Sequence, residues 1–305
     1  MRTHGTIERI AAADTAAIAD RVARGRPAIV DGGAAGWKIR RAWTSGRLRA
    51  RLGHVPIAWR QARSEIHPTI SADDAAVLSR DCTGTLAGYL DRMAETPTVF
   101  LDANLVALAS RSQPANPDLA PMLADLETPP WVERRAIDTI GVWLSGKGVR
   151  TRLHYDRNGR DNYNAQLAGR KLVVLVPPDR LPLLDPFPLG SAVHNFSRVD
   201  VYAPDFADAR ALGALGGELK PGDLLYLPAF WFHAFEHRGA FNFNVNFWCD
   251  PICIPLNPTS LRQEAAGLLA RALEAEEDEP ATRRRLVARI EAACLDWTPA
   301  RPPGA

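Results

Sequence analysis

The sequence predicts a mainly β fold with flanking helices: an antiparallel barrel or jelly roll, followed by C-terminal helices. Three observations carry this. From Thr139 onward, apolar runs of strand length recur between Pro, Gly, Asn and Asp turn residues. Before that stretch, and again after Pro258, apolar residues return at helical spacing. No internal repeat or low-complexity linker separates the parts, which predicts one domain over residues 1–255, with its barrel core at about 139–250, and a helical segment over 256–305.

Along the chain, residues 11–24 alternate Ala, Ile and Val with charges at helical spacing, and residues 27–30 read as a short buried strand stopped by Asp31-Gly32-Gly33. Further helices are expected at 43–52 and 85–94, with short strands at 57–59 and 98–101. The barrel strands are expected at 140–144, 152–155, 164–167, 171–176, 223–227 and 241–248. After Pro258, Leu261, Leu268, Leu269 and Ala272 share one helical stripe, and Leu286, Ile290 and Cys294 another.

Composition narrows the function classes. A chain of 305 residues with 46% hydrophobic and 24% charged residues holds enough apolar material for one large domain or two modest ones. A net charge of +2 is too small to point to nucleic acid or a membrane surface, and Arg283-Arg284-Arg285 reads as a solvated helix face. No window approaches the roughly 20 apolar residues of a membrane span, and no signal-peptide stretch opens the chain. Cys249-x-x-x-Cys253 has no second pair to complete a zinc site, so Cys82, Cys249, Cys253 and Cys294 are expected as reduced thiols in a soluble, cytoplasmic protein.

The chemistry is carried by His154-Tyr155-Asp156 and, far downstream, His233. On a strand, residues two apart share a face, so His154 and Asp156 enter the barrel together and Tyr155 points away. Two imidazoles and one carboxylate form a facial set that leaves about three metal positions open, the arrangement of oxygen chemistry at Fe(II). Alone, His-x-Asp is a weak signal, and His233 among Phe230, Trp231, Phe232 and Phe235 could be an ordinary core histidine. Together in one barrel they read as ligands. His237 reads as a turn residue, His194 as a structural loop residue, and His4, His54 and His67 lack an acidic partner at ligand spacing.

Such a site needs a source of electrons, and a bidentate 2-oxo acid would fill two open positions while a cation holds its far carboxylate. Lys171, at the start of an apolar strand, is the cation in reach, although a surface lysine at a strand end fits the spacing equally. Asn242, Asn244 and Asn246 alternate with Phe241, Phe243, Val245 and Phe247; if the aromatic side packs on outer helices, the amides line the cavity.

These residues carry a resemblance. Trp143-Leu-Ser-Gly, Thr151-x-x-His154-Tyr-Asp156, Ala165-Gln-x-x-Gly169-x-Lys171, Pro177-Pro178, Pro221-Gly-Asp-x-x-Tyr-x-Pro228, Trp231-x-His233 and Val245-Asn-Phe-Trp248 resemble, in that order, the cupin-like branch of the Jumonji-C oxygenases, to which the asparaginyl hydroxylase of hypoxia signalling is related. The resemblance spans residues 27–250. It implies a double-stranded β-helix, Fe(II) held by His154, Asp156 and His233, and 2-oxoglutarate bound through Lys171 and Thr151, with Asn246 and Asn162 at its polar positions. With O2, the implied reaction is oxidative decarboxylation coupled to hydroxylation. The C-terminal helices of such relatives pair across a two-fold axis, which implies a homodimer; packing back on the barrel is the alternative.

Two departures stand out. The stretch Arg157-Asn-Gly-Arg-Asp161 is longer than in that relative, and Phe100 stands where the relative has a tyrosine hydroxyl for the cosubstrate carboxylate. Loss of that hydrogen bond would weaken binding by about 1 to 2 kcal/mol if nothing replaces it. From position alone, Tyr155, Arg157, Arg160, Asp102 and Trp231 are candidates for the substrate side. By family analogy the substrate is a protein or peptide side chain, with a small molecule or natural product as alternative; no basic surface interleaved with aromatics supports RNA. The alternatives are a metal-dependent cupin isomerase or lyase, which commonly binds metal through more histidines and would have no use for Lys171 as a carboxylate clamp, and a non-catalytic cupin binding module, which would not need a complete triad.

Overall fold

The computed structural model describes residues 3–62, 79–96, 98–107, 114–133, 136–157, 159–189, 191, 193–203, 209–251, 257–274, 288–289, 291–292 and 294–295. Strands β1 (Gly5–Thr6) and β2 (Glu8–Ala11) precede helix α1 (Thr15–Ala23), and β3 (Ala28–Asp31) leads into α2 (Lys38–Ala42) and α3 (Ser45–Leu52). Next come β4 (Pro56–Ala62), β5 (Ser79–Thr85), α4 (Leu86–Glu95) and β6 (Val99–Ala107). The C-terminal part holds β7 (Ile137–Ser145), β8 (Asp161–Ala168), β9 (Lys171–Val176), β10 (Leu215–Leu219), β11 (Leu224–Leu227), β12 (Phe232–His237), β13 (Asn242–Cys249) and α5 (Pro258–Glu274).

Side-chain caps set the helix starts. Asp14 accepts from the Ala17 N–H at 3.0 Å, Thr44 from Arg47 and Thr85 from Gly88, so α1, α3 and α4 each begin one residue later. Of residues 11–14, expected as helix, Ala11 instead ends β2, which lies parallel to β3, and 12–14 form the turn into α1.

Among the described residues the strands form two sheets, ordered β2-β3-β11-β8-β13-β7-β6-β4-β5 and β1-β10-β9-β12. They make the expected jelly roll, and the larger sheet reaches beyond it. β3 pairs with β11 and β6 with β7, so strands from the first hundred residues extend the larger sheet on both sides. Period two then sorts the side chains. Odd positions of β8 and β13 (Tyr163, Ala165, Leu167; Phe243, Val245, Phe247) face a core shared with Leu48 and Leu52 of α3 and Leu86, Tyr89 and Leu90 of α4. Trp37 meets the Phe247 ring edge-on at 5.8 Å. The even positions, Asn162, Asn164, Asn244 and Asn246, turn inward toward the smaller sheet. A second core covers the outer side of the smaller sheet through Val174, Val176, Phe232 and Ala234, and a third lies between the sheets around Ile29, Leu225, Val173, Leu175 and Phe235.

The segment 152–155 is not a ladder strand. His154 makes isolated bridges to Phe196 and His233, with paired bonds of 3.1 Å (His154 N–H to His233 O) and 2.7 Å (His233 N–H to His154 O). The chain stays extended enough to keep its alternation, and Leu153 and Tyr155 go to the second core. At the other end of the domain, α5 packs back on its own chain. Asn257 caps it, Thr259 Oγ1 donates to Pro178 O at 2.8 Å, and the fully buried Arg262 donates to His194 O, to Phe187 O and to Glu291. The stripe expected to pair across a two-fold axis runs on through Leu268, Ala272, Leu286 and Ile290, whose side chains lie outside the described set. Cys253, His67 and Arg283–Arg285 also lie outside it. Cys82, Cys249 and Cys294 are free thiols. Among the described residues no helix is long and apolar enough to cross a membrane.

Gly169 turns β8 into β9 and so delivers Lys171. Its φ is +71°, and a Cβ there would lie 2.2 Å from Asn242 Oδ1 and 2.6 Å from Phe241 O. Gly169→Ala is expected to destabilise by about 3 kcal/mol from backbone strain and overpacking combined. In a domain of this size that lowers Tm by roughly 6 to 12 °C in a calorimetric melt, and an unchanged Tm would contradict this turn geometry.

Candidate metal centre and adjoining cavity

His154, Asp156 and His233 come together on the wall of a cavity between the two sheets. One ligand-type atom from each lies within 4.8 Å of the others, and His233 Nε2 is 3.8 Å from Asp156 Oδ1. Each imidazole is oriented by its backbone. His154 Nδ1 is 2.7 Å from Arg152 O and His233 Nδ1 is 3.1 Å from Trp231 O, so both rings place the hydrogen on Nδ1 and leave the Nε2 lone pair available. Phe196 stacks on His154 at 5.0 Å and fixes its tilt. Trp248 Nε1 donates to Asp156 Oδ2 at 3.0 Å and Asn162 Nδ2 to the same oxygen at 3.3 Å, which leaves Oδ1 toward His233.

The electrostatics suit a divalent cation. Burial pulls His154 down to about 4, helped by the nearby His233 and opposed by Asp156. Burial pushes the Asp156 carboxyl up, but the two imidazoles and the bonds from Trp248 and Asn162 together hold it below the ordinary carboxylate range. A neutral His154 beside an ionised Asp156 is the protonation state metal binding requires.

The cavity measures about 530 Å³, and its inner part is polar. Lys171 is buried there. Its Nζ donates to Asn244 Oδ1, Asn244 Nδ2 donates to Asn246 Oδ1 at 3.2 Å, and the Phe235 ring lies 5.1 Å from the ammonium. Burial lowers the Lys171 pKa to about 7. Thr151 Oγ1 accepts from Phe235 N at 2.9 Å, which leaves its hydroxyl hydrogen to donate. Buried Trp143 Nε1, Asn162 Oδ1 and Asn164 Oδ1, all on cavity-lining residues, have no hydrogen-bond partner among the described residues. Buried polar atoms are normally paired, so a polar occupant fits this end. An ammonium, a hydroxyl and an indole N–H are donors suited to a carboxylate.

The structure thus gathers His154, Asp156, His233, Lys171, Thr151, Asn246 and Asn162 around one cavity. Asn242 is the exception in the amide ladder, since it holds a turn through Gly239 O at 2.7 Å. Arg157 and Asp102 also line the cavity. Burial pushes Asp102 up to about 6, with Arg60 opposing and Asp156 adding to the shift. Three candidates for the substrate side are corrected. Tyr155 is fully buried against Phe230 and Phe232, because the strand's far face meets a core rather than solvent. Trp231 is 6% exposed within the third core. Arg160 pairs with Asp138 at 2.7 Å and with Asp250, anchoring the loop that follows Asp156.

His237, read as a turn residue, is a fourth correction. It ends β12, is 1% exposed and lines the cavity. Alternation from His233 places 235 and 237 on the same face, and that signal was present in the sequence. His194 is a buried loop residue bonded to Ser191 O, as expected, while His4 and His54 are exposed.

A model of the cupin-like domain family matches residues 14–253. Lysine-specific demethylase JMJ31 of Arabidopsis thaliana is 32% identical over 129 residues, 41% of this chain and 23% of that protein. HSPB1-associated protein 1 of Homo sapiens is 30% identical over 113 residues, 36% and 23% respectively. tRNA wybutosine-synthesizing protein 5 of Gallus gallus is 31% identical over 187 residues, 56% of this chain and 57% of that protein. The chain covers less than two thirds of the length of each of these relatives.

Proposed function

This chain belongs to the cupin-like domain family, Jumonji-C type, of Fe(II)- and 2-oxoglutarate-dependent oxygenases, and from that premise we propose that it hydroxylates a C–H bond of a protein or peptide side chain. In this reading His154, Asp156 and His233 hold Fe(II), and Lys171 and Thr151 hold the far carboxylate of 2-oxoglutarate with Asn246 and Asn162 alongside. Bound there with O2, the metal and cosubstrate supply the oxidising power for hydroxylation, with succinate and CO2 as coproducts. The protein's part is placement. The Asp156 carboxylate, fixed by Trp248 and Asn162, and the two backbone-oriented imidazoles keep one face of the metal site toward the cavity. The core on the outer face of the larger sheet keeps water from its back. Arg157 and Asp102 face the incoming substrate.

The observation that carries this reading is the convergence of the three ligand-type side chains on the wall of a cavity whose inner part holds a buried lysine. The test is succinate formation by protein loaded anaerobically with Fe(II) and 2-oxoglutarate, then exposed to oxygen without added substrate. Slow, metal-dependent turnover is expected; none at all, in protein shown to bind neither metal nor oxo acid, would overturn it. A small molecule in place of a peptide is the alternative substrate class. Replacing Trp248 with phenylalanine removes the 3.0 Å bond to Asp156 and is expected to weaken metal binding about tenfold while leaving the fold intact. Titration with Co(II), followed by its absorption, measures this.

A further inference from the structure

We propose that His237 is a second donor to the far carboxylate of the oxo acid, its Nε2–H acting beside the Lys171 ammonium in the place of the hydroxyl that Phe100 lacks. This rests on the reading of the cavity as a 2-oxoglutarate site and names a residue that the sequence assigned to a turn.

Register places the two groups together. His237 of β12 pairs directly with Lys171 of β9 in the antiparallel ladder, so both side chains leave the sheet on one face and both line the cavity. That face is also the one from which His233 projects, four residues earlier on the same strand, at about 13 Å along it. Cosubstrate end and metal end are therefore two stations on one strand.

Hydrogen bonding fixes which nitrogen faces the cavity with a proton. His237 Nδ1 lies 2.5 Å from Ser145 Oγ. Ser145 is fully buried, and His237 is the partner its hydroxyl has among the described residues. A buried hydroxyl with one partner gives that partner its hydrogen, so Ser145 donates to Nδ1 and the ring hydrogen sits on Nε2. No group among the described residues pairs with Nε2. If His237 served only to tie the two sheets together through Ser145, Nδ1 alone would suffice.

The neighbourhood explains why the role passes to this residue. Phe100 pairs with Ser145 across β6 and β7 and stacks on Trp143 with ring centroids 4.7 Å apart. The phenyl ring thus occupies the position beside the Ser145–His237 pair and offers no polar hydrogen. The imidazole enters the same region from the opposite sheet. Burial, together with the nearby Lys171, holds His237 well below its ordinary pKa, so it acts as a neutral N–H donor and adds no second buried cation.

The test compares two acids that share the chelating end and differ at the far one. Calorimetric titration of 2-oxoglutarate and of 2-oxobutyrate, which has no far carboxylate, is carried out on the full chain loaded with Mn(II). His237→Leu is expected to weaken 2-oxoglutarate about tenfold, the loss of one hydrogen bond to a charged group, and to leave 2-oxobutyrate and Mn(II) affinity within about twofold. His237→Gln, whose amide nitrogen can take the position of Nε2, is expected to retain most of the 2-oxoglutarate affinity and serves as the readout if the leucine variant fails to fold. Equal weakening of both acids, or of neither, or no difference between a folded His237→Leu and His237→Gln, overturns the proposal. Failure of the wild-type chain to bind 2-oxoglutarate at all would instead sink the oxygenase reading on which it rests.

Discussion

Replacing Asp156 with alanine is expected to abolish Fe(II)-dependent succinate formation, a fall of at least about a hundredfold, since even groups that only orient ligands are worth 10- to 100-fold in affinity or activity. The carboxylate is the one anionic donor of the three and lies 3.8 Å from His233 Nε2. Without it, two neutral imidazoles would have to hold a dication. The same change orphans two donors, Trp248 Nε1 and Asn162 Nδ2, at a cost of about 1 to 3 kcal/mol each where water cannot reach them. Lost activity in the alanine variant could therefore reflect a loosened fold. Asp156→Asn separates the two causes, because it keeps the shape and an acceptor oxygen for Trp248 while removing the charge. Loss of metal binding and turnover at unchanged Tm is expected; an asparagine variant that still forms succinate at the wild-type rate would refute the assigned triad.

Legibility in the sequence followed the rule of alternation, and it ended where alternation says nothing about what lies on each face. Asn162, Asn164, Asn244 and Asn246 point inward because their odd-numbered neighbours are apolar and the helices α3 and α4 give those a place to pack. The ligand pair His154 and Asp156 follows the same rule, even though its segment makes only isolated bridges. The rule assigned Tyr155 to the other face correctly, but that face is a core closed by Leu181, Leu184, Val201, Leu212 and Ala214, which no local pattern announces. Arg160 failed for a related reason. Its partners Asp138 and Asp250 are 22 and 90 residues away, and only the pairing of β13 with both β7 and β8 brings them to one place. His237 was lost to its sequence neighbours Arg238-Gly239, which resemble a turn, although its spacing from His233 already placed it on the ligand face. The strand expected at 57–59 is longer as β4, and β5 was not expected, because both are set by long-range pairing, β4 with β6 and β5 with β4.

Replacing Lys171 with methionine is expected to make the protein more stable and almost unable to bind 2-oxoglutarate. The two effects have one origin. Burial lowers the lysine from 10.5 to about 7, so at neutral pH the folded chain holds an ammonium in a place that disfavours it. A folded-state pKa below the unfolded value means that the destabilisation is absent above about pH 10.5, grows as pH falls, and is complete below about pH 7. Its upper bound is about 5 kcal/mol, of which about 4 kcal/mol is present at pH 7. Methionine removes that penalty and fills similar volume, while Asn244 Oδ1 loses a donor at about 1 to 3 kcal/mol, for a net gain of about 1 to 3 kcal/mol in a denaturant melt at pH 7. Binding shows the opposite sign. A carboxylate pairs with the ammonium form and draws its pKa back up, so affinity for the oxo acid is flat below about pH 7 and falls by up to tenfold per unit above it, until the bound-state pKa is reached. Loss of a buried charge partner corresponds to roughly 100- to 1,000-fold in affinity at pH 7. The methionine variant should therefore show weak binding with no slope above pH 7. A wild-type affinity that stayed level from pH 7 to 9, or a methionine variant that bound as tightly as wild type, would remove Lys171 from the site and leave its burial without a function.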